Sequence, residues 1–398
     1  MRASVTINSS PAIYSSNFAR TLRVLTLTPF YPSAQNPQEG GFIAEVLPFT
    51  ERLGIMNEVL AVQPLHRARA RAVNSEIPCQ WKRHFSVPGN IGLPTAGSLM
   101  AVRLNSHTRK LHRERHIDLI HAHAALPCGD AAARLSHKWG VPFVVSVHGL
   151  DVYSERQAGR AFGAWCRRIS ERVYRKAHAV ICISEKVREQ LADVPANTMV
   201  ICNGVDPRLF FPAPEEASPH TILSVGNLIP TKGHVVLLRA FADLLKFFPN
   251  CELEIIGDGP ERRNLERLTT DLKIRSQVRF LGKKSRDSVA MAMRRCTIFA
   301  LPSGYEGLGC VYLEAMACAK PAIACEGQGI QGIIEHGVNG LLVPAEAHEQ
   351  LSNALQMLLH SDDFRHRIGN AARATVLHRH TIEHQAEQLA RLYRECVS

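Results

Sequence analysis

What this chain can fold into is limited most by a pattern that runs through it twice: short apolar stretches separated by longer helix-like segments. Strand-like runs fall at 23–28, 59–62, 117–121, 143–147, 179–183 and 199–202, with helix-like segments at about 96–115, 128–139, 155–176 and 184–192. The pattern then restarts. Its second round has runs at 221–225, 253–256, 278–281, 298–301, 322–324 and 341–343, and helices at about 232–248, 260–272, 285–296, 308–319 and 346–360. Helical segments at about 362–378 and 381–396 close the chain. Strands that alternate with helices pair in parallel through right-handed crossovers. The run Phe143-Val144-Val145-Ser146-Val147 has no polar alternation, as expected of a strand covered on both faces. The fold class expected is therefore α/β, with two Rossmann-like domains facing across a cleft.

Between the two rounds stand Pro207, Pro212, Pro214 and Pro219, with Glu215 and Glu216 among them. So many prolines in so short a stretch cannot continue a sheet or a helix. This places a linker at 207–219, an N-terminal domain at 21–206, a C-terminal domain at 220–380 and a closing helix at 381–398. Residues 1–20 have no acid and no continuous apolar core, so they read as a disordered extension rather than a secretion signal; a transit peptide is the other reading. The stretch 64–92 fits either a basic loop or an amphipathic segment lying on a membrane. It carries Arg67, Arg69, Arg71, Lys82 and Arg83 near Trp81 and Phe85.

Charge is divided unevenly. Residues 1–205 hold 25 Lys and Arg against 14 Asp and Glu, a net of +11, whereas residues 206–398 hold 22 of each. Such a basic half suits an anionic partner, or is a solvated Arg-rich surface. No nucleic-acid motif accompanies it, so nucleic acid is not expected. No window of 18 uninterrupted apolar residues marks a spanning helix. The 11 cysteines are scattered without a Cys-x-x-Cys pair, and the 19 histidines form no cluster with zinc spacing, although His121-Ala122-His123 follows a strand. Buried reduced thiols and a cytoplasmic protein, free or at the inner face of the membrane, are the expectation.

Candidate chemistry gathers at strand ends. Gly40-Gly41 lies where the loop after the first run meets a helix, and glycines there let backbone N–H groups approach a phosphate. His148-Gly149 follows the all-apolar strand, which aims a histidine into the cleft or leaves it capping the backbone. Lys232 ends the stretch Gly226-Asn227-Leu228-Ile229-Pro230-Thr231-Lys232 at the expected start of the next helix. The helix dipole repels a cation there unless an anion is also present, as a diphosphate would be. Gly257-Asp258-Gly259-Pro260 alone is a weak dinucleotide signal. Glu306 precedes a glycine turn, Gly307-Leu308-Gly309, and Glu314 is the lone charge in the apolar helix that follows. A buried carboxylate needs a partner: a ligand hydroxyl pair or a structural Arg. From Gly309 to Glu314 a helix rises roughly 7–8 Å, about the span from a sugar to a ribose across a diphosphate.

These motifs, taken in order, resemble the family-4 retaining glycosyltransferases of GT-B fold. The resemblance rests on Leu301-Pro302-Ser303-Gly304-Tyr305-Glu306-Gly307-Leu308-Gly309 with Leu313-Glu314-Ala315-Met316-Ala317-Cys318, the E-x7-E pattern. Ile183-Ser184-Glu185, Asn203-Gly204-Val205-Asp206, Phe280-Leu281-Gly282 and Gly337-Val338-Asn339-Gly340 extend it. It implies transfer of a hexose-type sugar from a UDP- or GDP-sugar, with retention and without a bound metal or cofactor, to a glycan or lipid-linked glycan acceptor. It also implies that His148 and Glu306 are catalytic. Gly40, Gly41, Asn227, Lys232, Gly307, Leu308, Gly309 and Glu314 would bind the donor, and the last helix would cross back onto the N-terminal domain. The acceptor and an anionic membrane surface would meet the basic half. Three departures stand out: Asn227 where Arg is usual, Leu308 where Phe is common, and Gly327-Gln328-Gly329-Ile330-Gln331-Gly332 in place of Gly-Gly-x-Pro-Glu. A nucleotide-sugar 2-epimerase and a catalytically silent nucleotide-sugar binder are the rival expectations.

Overall fold

The structure is a computed structural model that describes residues 20–37, 39–67, 70–71, 76–87, 92–149, 160–213 and 220–398. Apart from Arg20, the expected N-terminal extension lies outside the described residues, as do Arg69 and the 214–219 part of the expected linker.

Two parallel sheets form the core. The first contains β1 (Leu22–Thr28), β2 (Ile55–Pro64), β3 (Cys79–His84), β4 (Leu119–His123), β5 (Phe143–Val147), β6 (Ala179–Cys182) and β7 (Thr198–Val200). Its strand order is β3-β2-β1-β4-β5-β6-β7. The second contains β8 (Thr221–Val225), β9 (Glu252–Ile256), β10 (Val278–Gly282), β11 (Ile298–Ala300), β12 (Ala322–Cys325) and β13 (Leu341–Val343). Its order is β10-β9-β8-β11-β12-β13. Both orders reverse beside their first strand, which opens a crevice at the C-terminal strand ends. All five residues of β5 are buried, as a strand covered on both faces requires.

Three local features differ from the sequence reading. The open stretch 64–92 contains β3, an edge strand paired in parallel with β2. An edge strand uses one side of its ladder, so it tolerates Gln80, Lys82 and Arg83, which erase the apolar signal of a strand. The helix after Gly40 is broken in two, Gly41–Ala44 and Leu47–Arg52, with Pro48 at the start of the second piece. Lys232 ends a short 3-10 turn, Pro230–Lys232, and the helix proper, His234–Leu244, begins after Gly233. Gly233 has a φ of +70°, and a Cβ there would lie 2.0 Å from the Pro302 carbonyl oxygen, so only glycine fits.

The last helix, Ile382–Val397, leaves the second sheet and packs on the first. Its Ile382, Ala386, Leu389 and Tyr393 join Leu22, Val24, Ile55 and Leu119 in one buried cluster. Thr381 caps it by accepting the His384 N–H. No helix among the described residues is long and apolar enough to cross a membrane.

Candidate active site

The loops at the strand ends of the two sheets touch. Tyr305 donates its hydroxyl to the Gly149 carbonyl at 2.6 Å, and Ser184 donates to the Gly307 carbonyl at 2.5 Å. A methyl on Gly307 would stand 2.7 Å from the His148 carbonyl oxygen, so this glycine lets the two walls meet. The turn that departs from the family pattern fastens the same loop. Gln328 accepts the Glu306 N–H at 2.9 Å and the Lys186 ammonium at 2.6 Å, and donates to the Gly304 carbonyl at 3.0 Å.

Behind this contact opens a cleft of about 240 Å³. Gly226, Asn227, Lys232, Gly257, Lys283, Glu306 and Gly309 are among its lining residues. Lys232 and Glu306 form a close ion pair across it, and each side chain is largely buried. An ion pair in such a place holds its cation ready for any anion that solvates it better than one carboxylate.

Glu314 projects from the helix Cys310–Ala317, one turn after Cys310, which lines the cleft. Its side chain is 3% exposed. One carboxylate oxygen accepts from Arg286 Nη1 at 2.5 Å, and the other, Oε2, is buried without a hydrogen-bond partner. Arg286 also reaches the opposite sheet, where its Nε and Nη2 lie 2.9 and 3.0 Å from the two oxygens of Glu45. Its guanidinium stacks 4.7 Å from the centre of the Phe210 ring. Burial works against the Arg286 charge, but Glu314 and Glu45 outweigh it and push its pKa up. Burial raises the Glu45 carboxyl above its ordinary value; Arg286 opposes this and Glu314 adds to it.

On the first sheet a cluster of imidazoles lines a separate, smaller cavity with Phe42, Ser146 and Tyr393. His123 Nδ1 lies 3.1 Å from His148 Nε2, with the two rings stacked at 5.3 Å. His121 stands 4.3 Å from the His123 ring; its Nδ1 meets the Tyr393 hydroxyl and its Nε2 the Ser146 hydroxyl, both at 2.7 Å. Phe42, next to Gly41, packs against His148 at 4.8 Å. Burial holds His121 down at about 3 and His148 at about 4, and pushes His123 well below its ordinary value, so all three are neutral at pH 7.

The structure thus brings together His148, Glu306 and Gly307 at the contact, and Asn227, Lys232 and Gly309 along the cleft. Gly41 joins Glu314 through Glu45 and Arg286. Gly40 has a φ of +75°, and a Cβ there would overlap the Phe30 carbonyl, so it shapes the turn that presents Gly41. Leu308 differs from the expectation. Its side chain is buried in the core, so only its backbone is available to a ligand. Sequence reasoning missed Arg286, Glu45, Gln328 and Tyr393 as neighbours of the site. His123 carries a visible signal, the His-x-His at the end of β4, although that pattern by itself points first to zinc. Among the described residues no group of three or more His, Cys, Asp or Glu is arranged to hold a metal.

Comparison with known proteins adds the family. Residues 52–209 match the model described as Glycosyltransferase Family 4, and residues 206–375 match Glycosyl transferases group 1. An uncharacterized glycosyltransferase of Methanocaldococcus jannaschii is 32% identical over 256 residues, 64% of this chain and 68% of that protein. Among solved structures, sucrose-phosphate synthase from Thermosynechococcus elongatus superposes with a TM-score of 0.79 at 22% identity, covering 94% of this chain and 98% of that one. HepE of Anabaena, solved in complex with UDP, gives 0.73 at 21% identity, covering 94% and 100%. The chain belongs to the family-4 glycosyltransferases of GT-B architecture.

Proposed function

We propose that this glycosyltransferase moves a hexose-type sugar from a UDP- or GDP-sugar to a glycan or lipid-linked glycan, with retention at the anomeric carbon and without a metal. The observation that carries the donor reading is Glu314: one oxygen is pinned by Arg286, and the other is buried and unpartnered beside the cleft. A buried acceptor left open is costly, and a ribose hydroxyl satisfies it at roughly 1.5–3 kcal/mol. In this reading Lys232 and the backbone around Gly41, Gly307 and Gly309 hold the diphosphate, whose stabilisation as it departs is the leading electrostatic effect. Asn227 and the Leu308 backbone line the same path. Glu306, released from Lys232, accepts from the sugar hydroxyls. The neutral His148 offers a hydrogen bond to the sugar from the opposite wall. In this reading the departing phosphate itself takes the acceptor proton on the front face. The basic N-terminal half receives the acceptor and contacts an anionic membrane surface at its inner face.

HepE, of similar fold, has been solved with UDP and with UDP-glucose, which makes uridine donors the first to try. The deciding experiment is a panel of UDP-, GDP-, ADP- and TDP-sugars, read by thermal shift and by nucleoside diphosphate release with and without glycan acceptors, in the presence of a chelator. The expected result is acceptor-dependent release from a UDP- or GDP-sugar, unaffected by the chelator, with the donor's anomeric configuration kept in the product. Conversion of the donor without an acceptor would instead identify an epimerase. Binding without release for every acceptor would identify a silent binder. A covalent sugar trapped on the protein would overturn the front-face route.

A further inference from the structure

We propose that Arg286 is a second cation for the donor diphosphate, and that Glu45 holds it before the donor binds, as the anion the donor displaces. The inference rests on the donor reading above and explains how a chain with Asn227 in the place of an Arg grips a diphosphate.

Three observations converge. Arg286 is placed between the two walls, bound to Glu314 at 2.5 Å on one side and to both oxygens of Glu45 at 2.9 and 3.0 Å on the other. Its side chain is 35% exposed overall, although its Nε is buried between the two walls, so part of the residue remains accessible to solvent. Glu45, for its part, lies over the glycine turn. A Cβ on Gly41 would be 3.0 Å from Glu45 Oε1. The carboxylate therefore sits against the backbone that would otherwise face a phosphate. Lys232 repeats the arrangement further along, with Glu306 as its anion. Lys232 and Arg286 are thus each held by a carboxylate of the site.

The electrostatics favour exchange. Glu45 and Glu314 share one guanidinium, so the buried group carries more negative than positive charge, and burial already raises the Glu45 carboxyl. A diphosphate carries more charge than one carboxylate and presents paired oxygens that match the planar fork of Arg. When it enters beside Gly41, Glu45 is repelled toward solvent and Arg286 turns its Nε and Nη2 edge to the phosphate. Its Nη1 stays on Glu314, which keeps the unpartnered oxygen aimed at the ribose. Arg286 thereby joins the two ends of the donor.

The test compares affinities of the whole protein for UDP, uridine and inorganic pyrophosphate by calorimetry. R286Q is expected to weaken UDP and pyrophosphate by about tenfold or more and uridine by clearly less, through the loosened Glu314 alone. E45Q, which keeps the Arg286–Glu314 pair, is expected to tighten UDP and pyrophosphate severalfold with uridine unchanged. The double variant is expected to match R286Q, because Glu45 acts through Arg286. Equal losses for UDP and uridine in R286Q would overturn the proposal, placing Arg286 at the ribose alone. Weaker UDP binding in E45Q would also overturn it, making Glu45 a structural support, and this arm does not depend on R286Q folding. A protein that binds pyrophosphate through Arg286 but no UDP or GDP would retire the donor reading and keep the anion site. One that binds none of these would retire both.

Discussion

The two sheets meet at the site through the same kind of element, the C-terminal end of a parallel strand, and these strand ends carry different chemistry. On the second sheet the loops after β8 and β11 bring a lysine and a glutamate into one ion pair, and the helix after β11 adds a glutamate held by an arginine. On the first sheet the ends of β4 and β5 present stacked histidines that burial keeps uncharged. The lesson is that the architecture fixes where a ligand lies, while the residues at the strand ends decide what each half can hold. A charged wall suits phosphate and a carboxylate-bound ribose. A neutral imidazole wall suits hydroxyls and adds no cation to compete with Lys232.

The comparison breaks first at Lys232. Lys232→Ala is expected to lower kcat by about 10²–10³-fold, as loss of one preorganised charge at a leaving group does. An unchanged kcat in a steady-state assay would move the phosphate site off the charged wall. Glu306→Ala and Glu314→Ala separate roles within that wall. The first is expected to act mainly on kcat, the second mainly on donor affinity, by about tenfold or more, since roughly 1.5–3 kcal/mol is lost with a hydrogen bond to a charge. Similar small effects from both would undo the assignment.

On the neutral wall the expected effects are smaller. His123→Phe removes the partner that fixes which His148 nitrogen carries the proton. The expected loss is about two- to tenfold in kcat with donor affinity kept, corresponding to one hydrogen bond of roughly 0.5–1.5 kcal/mol. A kcat equal to wild type would show that the stacked pair is only packing. The same histidines set an acid limit on stability. His121 at about 3 and His148 at about 4 stand below the 6.5 of free imidazole, so below pH 6.5 the unfolded chain binds more protons. The stability they contribute is complete above pH 6.5 and is lost as the pH falls toward 4 and 3. In His121→Gln the slope of unfolding free energy against pH, from chemical denaturation between pH 6.5 and 4, should flatten by up to about one proton. The smallest effect concerns the basic surface. Neutralising Arg67, Arg71, Lys82 and Arg83 should weaken salt-sensitive binding to vesicles of anionic lipid, by about 1 kcal/mol per charge that lies near the surface. Vesicle sedimentation with no change would return that face to ordinary solvation.

Much of the architecture was legible because it is local. Runs such as Phe143–Val147 mark buried strands without alternation, and glycines such as Gly233 and Gly307 mark places where backbones approach too closely for a side chain. The edge strand β3 was missed because charge masks it. The motif implies a donor contact at Leu308, but a motif gives position in sequence and not direction in space, and its side chain is buried in the core.

Sequence alone determined the two βα series and singled out Lys232, Glu306, Glu314 and His148 as candidates. Only the tertiary structure decided who partners whom. Lys232 meets Glu306 across 74 residues, Arg286 meets Glu45 across 241, and His121 meets Tyr393 across 272. Such pairs leave no periodicity or spacing in the chain. They arise when two sheets and a returning helix are packed together, and burial then forces each polar group to find whatever partner the packing supplies.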